Sequence, residues 1–209
     1  MEKIDLKKEY KAFYNPSPQK PEIVTVPKFQ FLMVDGRGAP GCADFQKAIE
    51  ALFEVSYKAK FACKKAPGID YVVMPLEGLW WADDLNDFMA GNRDEWRWTL
   101  MMMQPDFITL DMIQATIQST KEKESNPALD QLRFETYAEG LSTQILHIGP
   151  FADEHPNILK LHELIESAGG TFDGKNQKHH EIYLSDFRKT APEKLKTVLR
   201  QPFKKMVES

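Results

Sequence analysis

The stretch HHEIYLSD, residues 179–186, places a carboxylate inside what the sequence predicts to be a β-strand. Ile182, Tyr183 and Leu184 are residues that favour strands. Because successive side chains of a strand point to opposite sides, Glu181 and Tyr183 share one face, and Ile182 and Leu184 share the other. A solvated sheet face would make Glu181 an ordinary surface residue, whereas a cavity on that face would make it a functional site.

The overall composition is that of an ordinary globular protein. The 209 residues are 42% hydrophobic and 28% charged, which fits one domain or a compact duplication of a smaller unit. The formal net charge of -4 argues against general affinity for nucleic acid or anionic membrane. No apolar run approaches the ~20 residues of a membrane span, and the N-terminus has no signal-peptide pattern. We therefore expect a cytoplasmic protein with no direct nucleic-acid or membrane partner.

The first half of the chain follows the order strand, helix, strand, strand. Residues 1–21 form a polar N-terminal arm, and EIVTVPKFQFLMV at 22–34 is typical of a strand. Apolar residues at helical spacing predict a helix over 41–63. Two further strands are predicted at 71–81 and 96–103, and we expect them to pair antiparallel.

The second half repeats much of this order. A helix at 108–123 could begin a second unit, and strands at 132–137 and 141–148 flank a Glu-Gly turn. A helical face covers 158–168 and ends at Gly-Gly in the manner of a C-cap. After HHEIYLSD, the tail TAPEKLKTVLRQPF at 190–203 predicts a short helix following a proline.

The similar design of the two halves indicates an internal duplication. We predict an α+β fold of duplicated β-α-β-β modules, at about 22–105 and 106–209, with antiparallel sheets around a central ligand cleft. Two such sheets side by side would leave the cleft at their pseudo-twofold seam, a common place for a ligand.

Aromatic and methionine side chains are unusually dense between Tyr71 and Phe107. They would suit either a dense core or the wall of a pocket for a flat apolar ligand. In LEGLWW, residues 76–81, a glycine precedes two adjacent tryptophans that cannot both face one core. Trp96 and Trp98 share a face, which a core and a ligand platform explain equally well.

No motif for a cofactor or a metal is present in the sequence. There is no Gly-rich phosphate loop, zinc motif or serine nucleophile elbow. His179 and His180 point to opposite sides of a strand and make a poor metal pair. Cys42 and Cys63 suggest neither a metal site nor a disulfide framework. We expect no cofactor and no metal.

The block KLHELIESAGGTFDGKNQKHHEIYLSDFRKTAPEKLKTVLRQPF, residues 160–203, is similar to the C-terminal block of GyrI-like small-molecule-binding proteins. Those proteins carry an HEIYLSDPRR-type signature followed by PEKLKT. The LEGLWW and W-x-W segments resemble the same branch, so that the resemblance covers about 22–203. Phe187 departs from the signature, in which proline is common after Ser-Asp.

The resemblance implies two β-α-β-β modules of the SHS2 type, related by a pseudo-twofold, with a ligand cleft between them. Multidrug-sensing regulators of this superfamily bind lipophilic, often cationic compounds against a carboxylate in an aromatic pocket, and Glu181 matches that carboxylate. Such regulators have an attached DNA-binding domain, which we do not expect here. Some stand-alone members hydrolyse the cyclopropane of DNA-alkylating cyclopropanoid natural products.

Three functions of different classes follow from this resemblance. In the first, an enzyme hydrolyses cyclopropanoid toxins, with Glu181 and Tyr183 as the catalytic residues. The ligand-binding residues of that prediction are Trp80, Trp81, Trp98, Tyr71, Met101 and Tyr137. In the second, the same cleft binds lipophilic or cationic small molecules without turnover, as a drug sponge or sensor. The third is an interaction with gyrase, which no local feature supports. The sequence leaves the oligomeric state, including a homodimer, open.

Overall fold

The structure, a computed structural model, describes residues 3–83 and 92–206. Within these residues the helices are α1 (Leu6–Glu9), α2 (Lys11–Tyr14), α3 (Ala43–Lys65), α4 (Leu110–Lys121) and α5 (His155–Ser167). The strands are β1 (Glu22–Arg37), β2 (Leu76–Trp81), β3 (Arg97–Gln104), β4 (Arg133–Ile148), β5 (Gly170–Thr171), β6 (His179–Tyr183), β7 (Lys196–Pro202) and β8 (Lys204–Lys205). Short 3-10 turns lie at Arg93–Glu95, Pro127–Asp130, Phe151–Asp153 and Pro192–Lys194.

Six of these strands close into an antiparallel barrel in the order β1-β3-β2-β6-β7-β4. The first three strands of that order come from the first half of the chain and the last three from the second. Each half runs strand, long helix, strand, strand along the chain. The halves meet where β2 pairs with β6 and again where β1 pairs with β4. The predicted α+β architecture with antiparallel strands is confirmed, and the two sheets are joined into one barrel rather than set side by side.

The long helices α3 and α5 cover the outside of the barrel. α3 packs on β1 and β3 with a buried face that includes Phe45, Ile49 and Leu52. α5 packs on β4 and β7 through Leu161 and Ile165. Each such aliphatic side chain contributes about 1.5–3 kcal/mol when it leaves water completely. The helical periodicity read from the sequence therefore corresponds to the faces that hold the helices on the barrel.

The barrel wall separates two cores because side chains alternate along each strand. On β3, Trp98 and Leu100 point outward beneath α3, whereas Met101 and Met103 point into the barrel. On β6, Ile182 points inward. A residue one position away along a strand therefore belongs to a different environment, and this alternation decides which predicted site residues can meet.

Two predicted elements of the second half are wrong. The strands predicted at 132–137 and 141–148 form one strand, β4, which runs through Gly140 because the equally long β1 pairs with it on both sides of that residue. The tail predicted as a helix forms a 3-10 turn and then β7. Pairing of β7 with both β4 and β6 outweighs its local helix propensity.

The N-terminal arm lies against the barrel. Ile4 forms a parallel bridge with Tyr71, and Leu6 is buried. The ring of Tyr10 meets that of Phe29 edge-on, with centroids 4.8 Å apart. The arm is therefore packed on the inward-facing residues that reach one mouth of the barrel.

Neither a membrane-spanning helix nor a metal site is found among the described residues. Within residues 3–83 and 92–206 no helix has the length and apolarity that a membrane crossing requires. In the same part of the chain, no group of three or more His, Cys, Asp or Glu side chains is arranged to hold a metal ion.

Candidate functional site

A cavity of about 540 Å³ lies on the outer surface of the barrel, above the seam where β2 pairs with β6. Both halves of the chain line it. The first half contributes residues from the loop before α3, the start of α3, β2 and the segment before β3. The second half contributes residues from the turn before α5, β6 and the loop after β6. The lining residues include Phe45, Trp80, Trp96, Phe151, Glu154, Glu181, Tyr183 and Phe187.

Aromatic rings form much of the cavity wall. Trp80 lies between Phe45 of α3 and Trp96, with centroid distances of 5.7 and 5.9 Å. On the opposite side, Phe151 meets Tyr183 edge-on at 5.8 Å. Tilted and edge-on contacts of this kind stabilise aromatic clusters beyond the area they bury. The wall is therefore largely apolar and suited to a flat ligand.

A chain of hydrogen bonds crosses the seam at the base of the cavity. The indole N–H of Trp80 donates to the hydroxyl of Tyr183 at 3.0 Å, and that hydroxyl donates to Oε2 of Glu181 at 2.8 Å. The other carboxylate oxygen, Oε1, lies 3.5 Å from Nε2 of His179. Only 16% of the Glu181 side chain is exposed. The sheet face on which strand alternation places Glu181 therefore borders the cavity and not bulk water.

Gly78 makes this arrangement possible. It pairs directly with Glu181 across the seam. A Cβ atom at this position would lie 2.8 Å from Nε1 of Trp80 and 3.2 Å from the hydroxyl oxygen of Tyr183. The glycine in LEGLWW therefore marks a close approach of backbone to side chains, as glycine inside a strand often does.

Glu154 is a second carboxyl group in the cavity. It is 5% exposed and immediately precedes α5 as its N-cap residue. Burial, followed by the charge of Glu181, raises the pKa of Glu154 to about 10. Its Oε1 is buried and has no hydrogen-bond partner among the residues that the structure describes. Glu154 is therefore a neutral carboxylic acid at physiological pH, with a proton to donate.

The site thus places a proton acceptor and a proton donor in one apolar cavity. Glu181 already accepts a hydrogen bond, and its negative charge contributes to the raised pKa of Glu154. Burial and the nearby Glu181 also raise the pKa of Tyr183, so its hydroxyl stays protonated and donates. A carboxyl group with a raised pKa beside a second, hydrogen-bond-accepting carboxyl group is an arrangement typical of general acid–base chemistry.

Three of the eight residues predicted for the site lie together at the cavity: Trp80, Glu181 and Tyr183. Of the adjacent tryptophans, Trp80 lines the cavity, and Trp81 lies outside it beneath the Nζ atom of Lys178, 3.6 Å from the ring centroid. The alternation of β2 sends the two indoles to opposite sides of the strand.

The other four predicted ligand contacts lie away from the cavity. Trp98 is 1% exposed and packs between Phe45 and the Cα of Gly36, where no side chain would fit. Tyr71 is buried against Phe107. Met101 and Tyr137 belong to the inner face of the barrel, on the other side of its wall. Aromatic content alone could not distinguish these environments.

Several lining residues were not anticipated from the sequence. Phe151 and Glu154 lie in the GPFADEHPN loop, where the loop position was the available signal, since functional groups concentrate on loops. Phe45 lies within the helix predicted at 41–63, and its side chain belongs both to the core and to the cavity wall. Trp96 was grouped with Trp98, but it precedes β3 and reaches the cavity instead.

Comparison with known proteins gives a consistent result. Residues 19–204 match the family model described as the GyrI-like small molecule binding domain. The chain is 40% identical to an uncharacterized conserved protein from Listeria innocua, with a TM-score of 0.87, 97% of this chain covered and 100% of that one. It is 39% identical, with a TM-score of 0.85 and the same coverage, to a structure described as a hydrolase from Listeria innocua.

A more distant likeness concerns the fold alone. The C-terminal domain of EcmrR is 13% identical, with a TM-score of 0.55, over 90% of this chain and 98% of that one. A comparison with curated proteins finds no match.

Proposed function

This chain belongs to the GyrI-like small-molecule-binding family, and from that premise we propose that its seam cavity binds flat, lipophilic small molecules and hydrolyses cyclopropane-bearing, DNA-alkylating toxins. The single observation that carries the proposal is the pairing of two carboxyl groups, Glu181 and Glu154, in one aromatic cavity. A carboxyl group with a raised pKa beside a hydrogen-bond-accepting carboxylate supplies both the proton donor and the proton acceptor that hydrolysis requires.

The cavity wall suits a ligand with a flat ring system. The rings of Trp80 and Trp96 lie 5.9 Å apart, centroid to centroid, and those of Phe151 and Tyr183 lie 5.8 Å apart. A carboxylate enclosed by such rings also attracts a cationic ligand, because the electron-rich ring faces add cation–π attraction. We therefore infer a ligand class of aromatic, lipophilic compounds, neutral or cationic.

The proposed reaction adds water across one strained carbon–carbon bond. Glu181 takes a proton from a water molecule as its oxygen attacks the ring methylene carbon. The cyclopropane bond breaks, and its electron pair moves to the conjugated carbonyl oxygen of the substrate. Glu154 supplies the proton for that oxygen, and proton exchange with solvent restores both carboxyl groups. Ring strain already activates the electrophile, so acid–base assistance of roughly 10²–10⁴-fold is sufficient.

The hydrolase description of a relative at 39% identity supports a catalytic reading of the cavity without naming a substrate. The alternative is a non-catalytic protein that sequesters or senses drugs. That alternative draws support from the family description, which specifies small-molecule binding. The two functions share the cavity and differ only in turnover.

Turnover by variant proteins separates the two functions. We would incubate the purified protein with a cyclopropanoid alkylator and count ring-opened product per protein molecule by mass spectrometry. We expect many products per protein for the wild type, and at most residual turnover for Glu181→Gln and Glu154→Gln. Glu163→Gln, an exposed glutamate on α5, serves as the matched control and should keep full turnover. Stoichiometric binding without product in the wild type would establish the sequestering function instead.

A further inference from the structure

The interior of the barrel holds a buried set of charged side chains that the proposed reaction does not use. His180 lies between two carboxylates, with Nε2 3.0 Å from Oε2 of Glu77 and Nδ1 2.9 Å from Oε1 of Glu139. The remaining oxygen of Glu139 accepts a hydrogen bond from Nη1 of Arg200 at 2.9 Å. The side chains of these four residues are 1–3% exposed. We call them the interior network.

The geometry of the interior network fixes its charges. Burial opposes the charged form of His180, but Glu139 and Glu77 raise its pKa to about 9, so the ring is an imidazolium whose two N–H groups face carboxylate oxygens. The network then contains two anions and two cations. Buried charges are tolerated when they are paired and hydrogen-bonded in this way, and breaking one pair is expensive.

The N-terminal arm completes the interior network. The hydroxyl of Tyr14 donates to Oε1 of Glu77 at 2.8 Å. Nη2 of Arg200 donates to the carbonyl oxygen of Phe13 at 2.7 Å, and the guanidinium also lies 5.9 Å from the centroid of the Phe13 ring. Two consecutive residues of α2 therefore hold both ends of the network, the Glu77 end and the Arg200 end.

The interior network and the cavity share the backbone of one short strand. His180 and Glu181 are neighbours in the five-residue strand β6 and point to opposite sides of the barrel wall. Across the seam, His180 is paired with Leu79 and Glu181 with Gly78. Glu77 belongs to β2 and His180 to β6, so their ion pair joins the two strands of the seam on the inner side of the barrel wall. On the outer side, the hydrogen bonds of Trp80, Tyr183 and Glu181 join the same two strands.

We propose that the N-terminal arm is a positioning element of the cavity, which acts through Tyr14, Glu77 and His180 on the seam that carries Glu181 and Tyr183. None of the arm residues that the structure describes, 3–21, lines the cavity. Its effect on the site is therefore indirect, through the position of β6. The inference rests on the proposed function for the importance of Glu181, but the geometry that it predicts exists without ligand or turnover.

The test removes one hydroxyl from the arm. Tyr14→Phe keeps the ring and deletes the hydrogen bond to Glu77, and Tyr10→Phe, on the same arm, is the matched control. The indole N–H of Trp80 reports the seam, because it donates to Tyr183. We would record ¹H–¹⁵N spectra of the ligand-free proteins and assign the Trp80 and Trp98 indole signals with single Trp→Phe variants.

We expect Tyr14→Phe to shift the Trp80 indole signal and leave that of Trp98 in place, and Tyr10→Phe to shift neither. Glu77→Gln alters the same series of hydrogen bonds from the barrel side, and it should also shift the Trp80 indole signal. Binding of the neutral fluorescent probe N-phenyl-1-naphthylamine should weaken by roughly two- to tenfold in Tyr14→Phe, the range that one hydrogen bond is worth.

Two results would overturn the inference. One is a folded Tyr14→Phe protein whose Trp80 signal and probe affinity equal those of the wild type. The other is an equal shift of the Trp80 and Trp98 signals, which would indicate general loosening of the barrel. Neither result depends on turnover, so loss of the proposed hydrolysis and failure of the arm inference are distinguishable.

Discussion

The indole nitrogen of Trp80 lies 3.0 Å from the hydroxyl oxygen of Tyr183, and this hydrogen bond joins the two halves of the barrel across their seam. Tyr183 in turn donates to Glu181. A tryptophan from the first half therefore determines how a carboxylate of the second half is presented to the cavity.

Removing the tryptophans one at a time should show which indole meets the ligand. Trp80→Phe and Trp96→Phe should each abolish a large part of the intrinsic fluorescence change that N-phenyl-1-naphthylamine causes on binding. Trp81→Phe should leave it intact, because Trp81 lies under Lys178 outside the cavity. An unchanged response in Trp80→Phe together with a lost response in Trp81→Phe would place the ligand elsewhere.

Adding a side chain at Gly78 should disrupt the packing where β2 meets β6, and so lower both the stability of the protein and its affinity for the probe. In Gly78→Ala, the new methyl group would meet Nε1 of Trp80 and the hydroxyl of Tyr183. Overpacking of this kind typically costs about 1–3 kcal/mol in the free energy of unfolding. We expect that loss in urea denaturation, with at least tenfold weaker probe binding because both displaced groups line the cavity, a factor equal to about 1.4 kcal/mol. Gly78→Ala with wild-type stability and affinity would contradict the close approach.

Replacing Glu154 by glutamine should stabilise the protein while removing activity. The folded-state pKa of Glu154, about 10, lies above its ordinary value of 4.5. Its contribution to stability is therefore greatest below pH 4.5 and is lost as pH rises towards 10. Glutamine does not ionise and avoids that loss, so Glu154→Gln should be about 1–3 kcal/mol more stable than the wild type at pH 7.

Urea denaturation at pH 5, 7 and 9 would measure this effect, with Glu163→Gln as control. The difference in unfolding free energy between the wild type and Glu154→Gln should grow with pH. A difference that stays constant from pH 5 to pH 9 would show that Glu154 ionises normally in the folded protein.

The interior network should stabilise the folded protein only over a limited range of pH. Burial would lower the pKa of His180, but Glu139 and Glu77 raise it to about 9. The stability it contributes is fully present below pH 6.5 and is lost as pH rises through 9. Burial would raise the pKa of Glu139, but His180 and Arg200 lower it to about 2, so its contribution is present above pH 4.5 and lost as pH falls through 2.

His180→Gln should therefore cost about 3–5 kcal/mol at pH 7, the usual cost of leaving a buried charge without its partner. The variant should also lose the decline in stability between pH 7 and pH 10 that His180 causes. Thermal unfolding across that range checks both effects. A variant that keeps the wild-type alkaline decline would show that another group controls it.

The pairing of Glu181 with Tyr183 on one strand face could be predicted from the sequence because strand alternation is local. Whether that face borders solvent or a cavity could not be predicted, because the cavity is built with Phe45 and Phe151, which are distant in sequence from Glu181. Glu154 was missed for the same reason. Its pKa is set by burial and by Glu181, and nothing within its own loop indicates either.

Two other differences between the sequence-based predictions and the structure result from the topology of the barrel. Glu139-Gly140 looks like a hairpin turn, yet β4 continues through it because β1 pairs with β4 on both sides of the glycine, between Arg133 and Gln144. Trp98 and Met101 both satisfy a compositional argument for an aromatic pocket. Their positions beneath α3 and inside the barrel are fixed by closure of the six strands, which no single segment specifies.

The most direct test of the central proposal is hydrolysis of a cyclopropanoid alkylator in ¹⁸O-labelled water, followed by mass spectrometry of product and protein. We predict one ¹⁸O atom in each ring-opened product, product in excess over protein, and at least a hundredfold slower formation by Glu181→Gln, the lower end of what general acid–base catalysis contributes. Unlabelled product, a covalent adduct on the protein, or equal rates for wild type and Glu181→Gln would contradict delivery of water by Glu181.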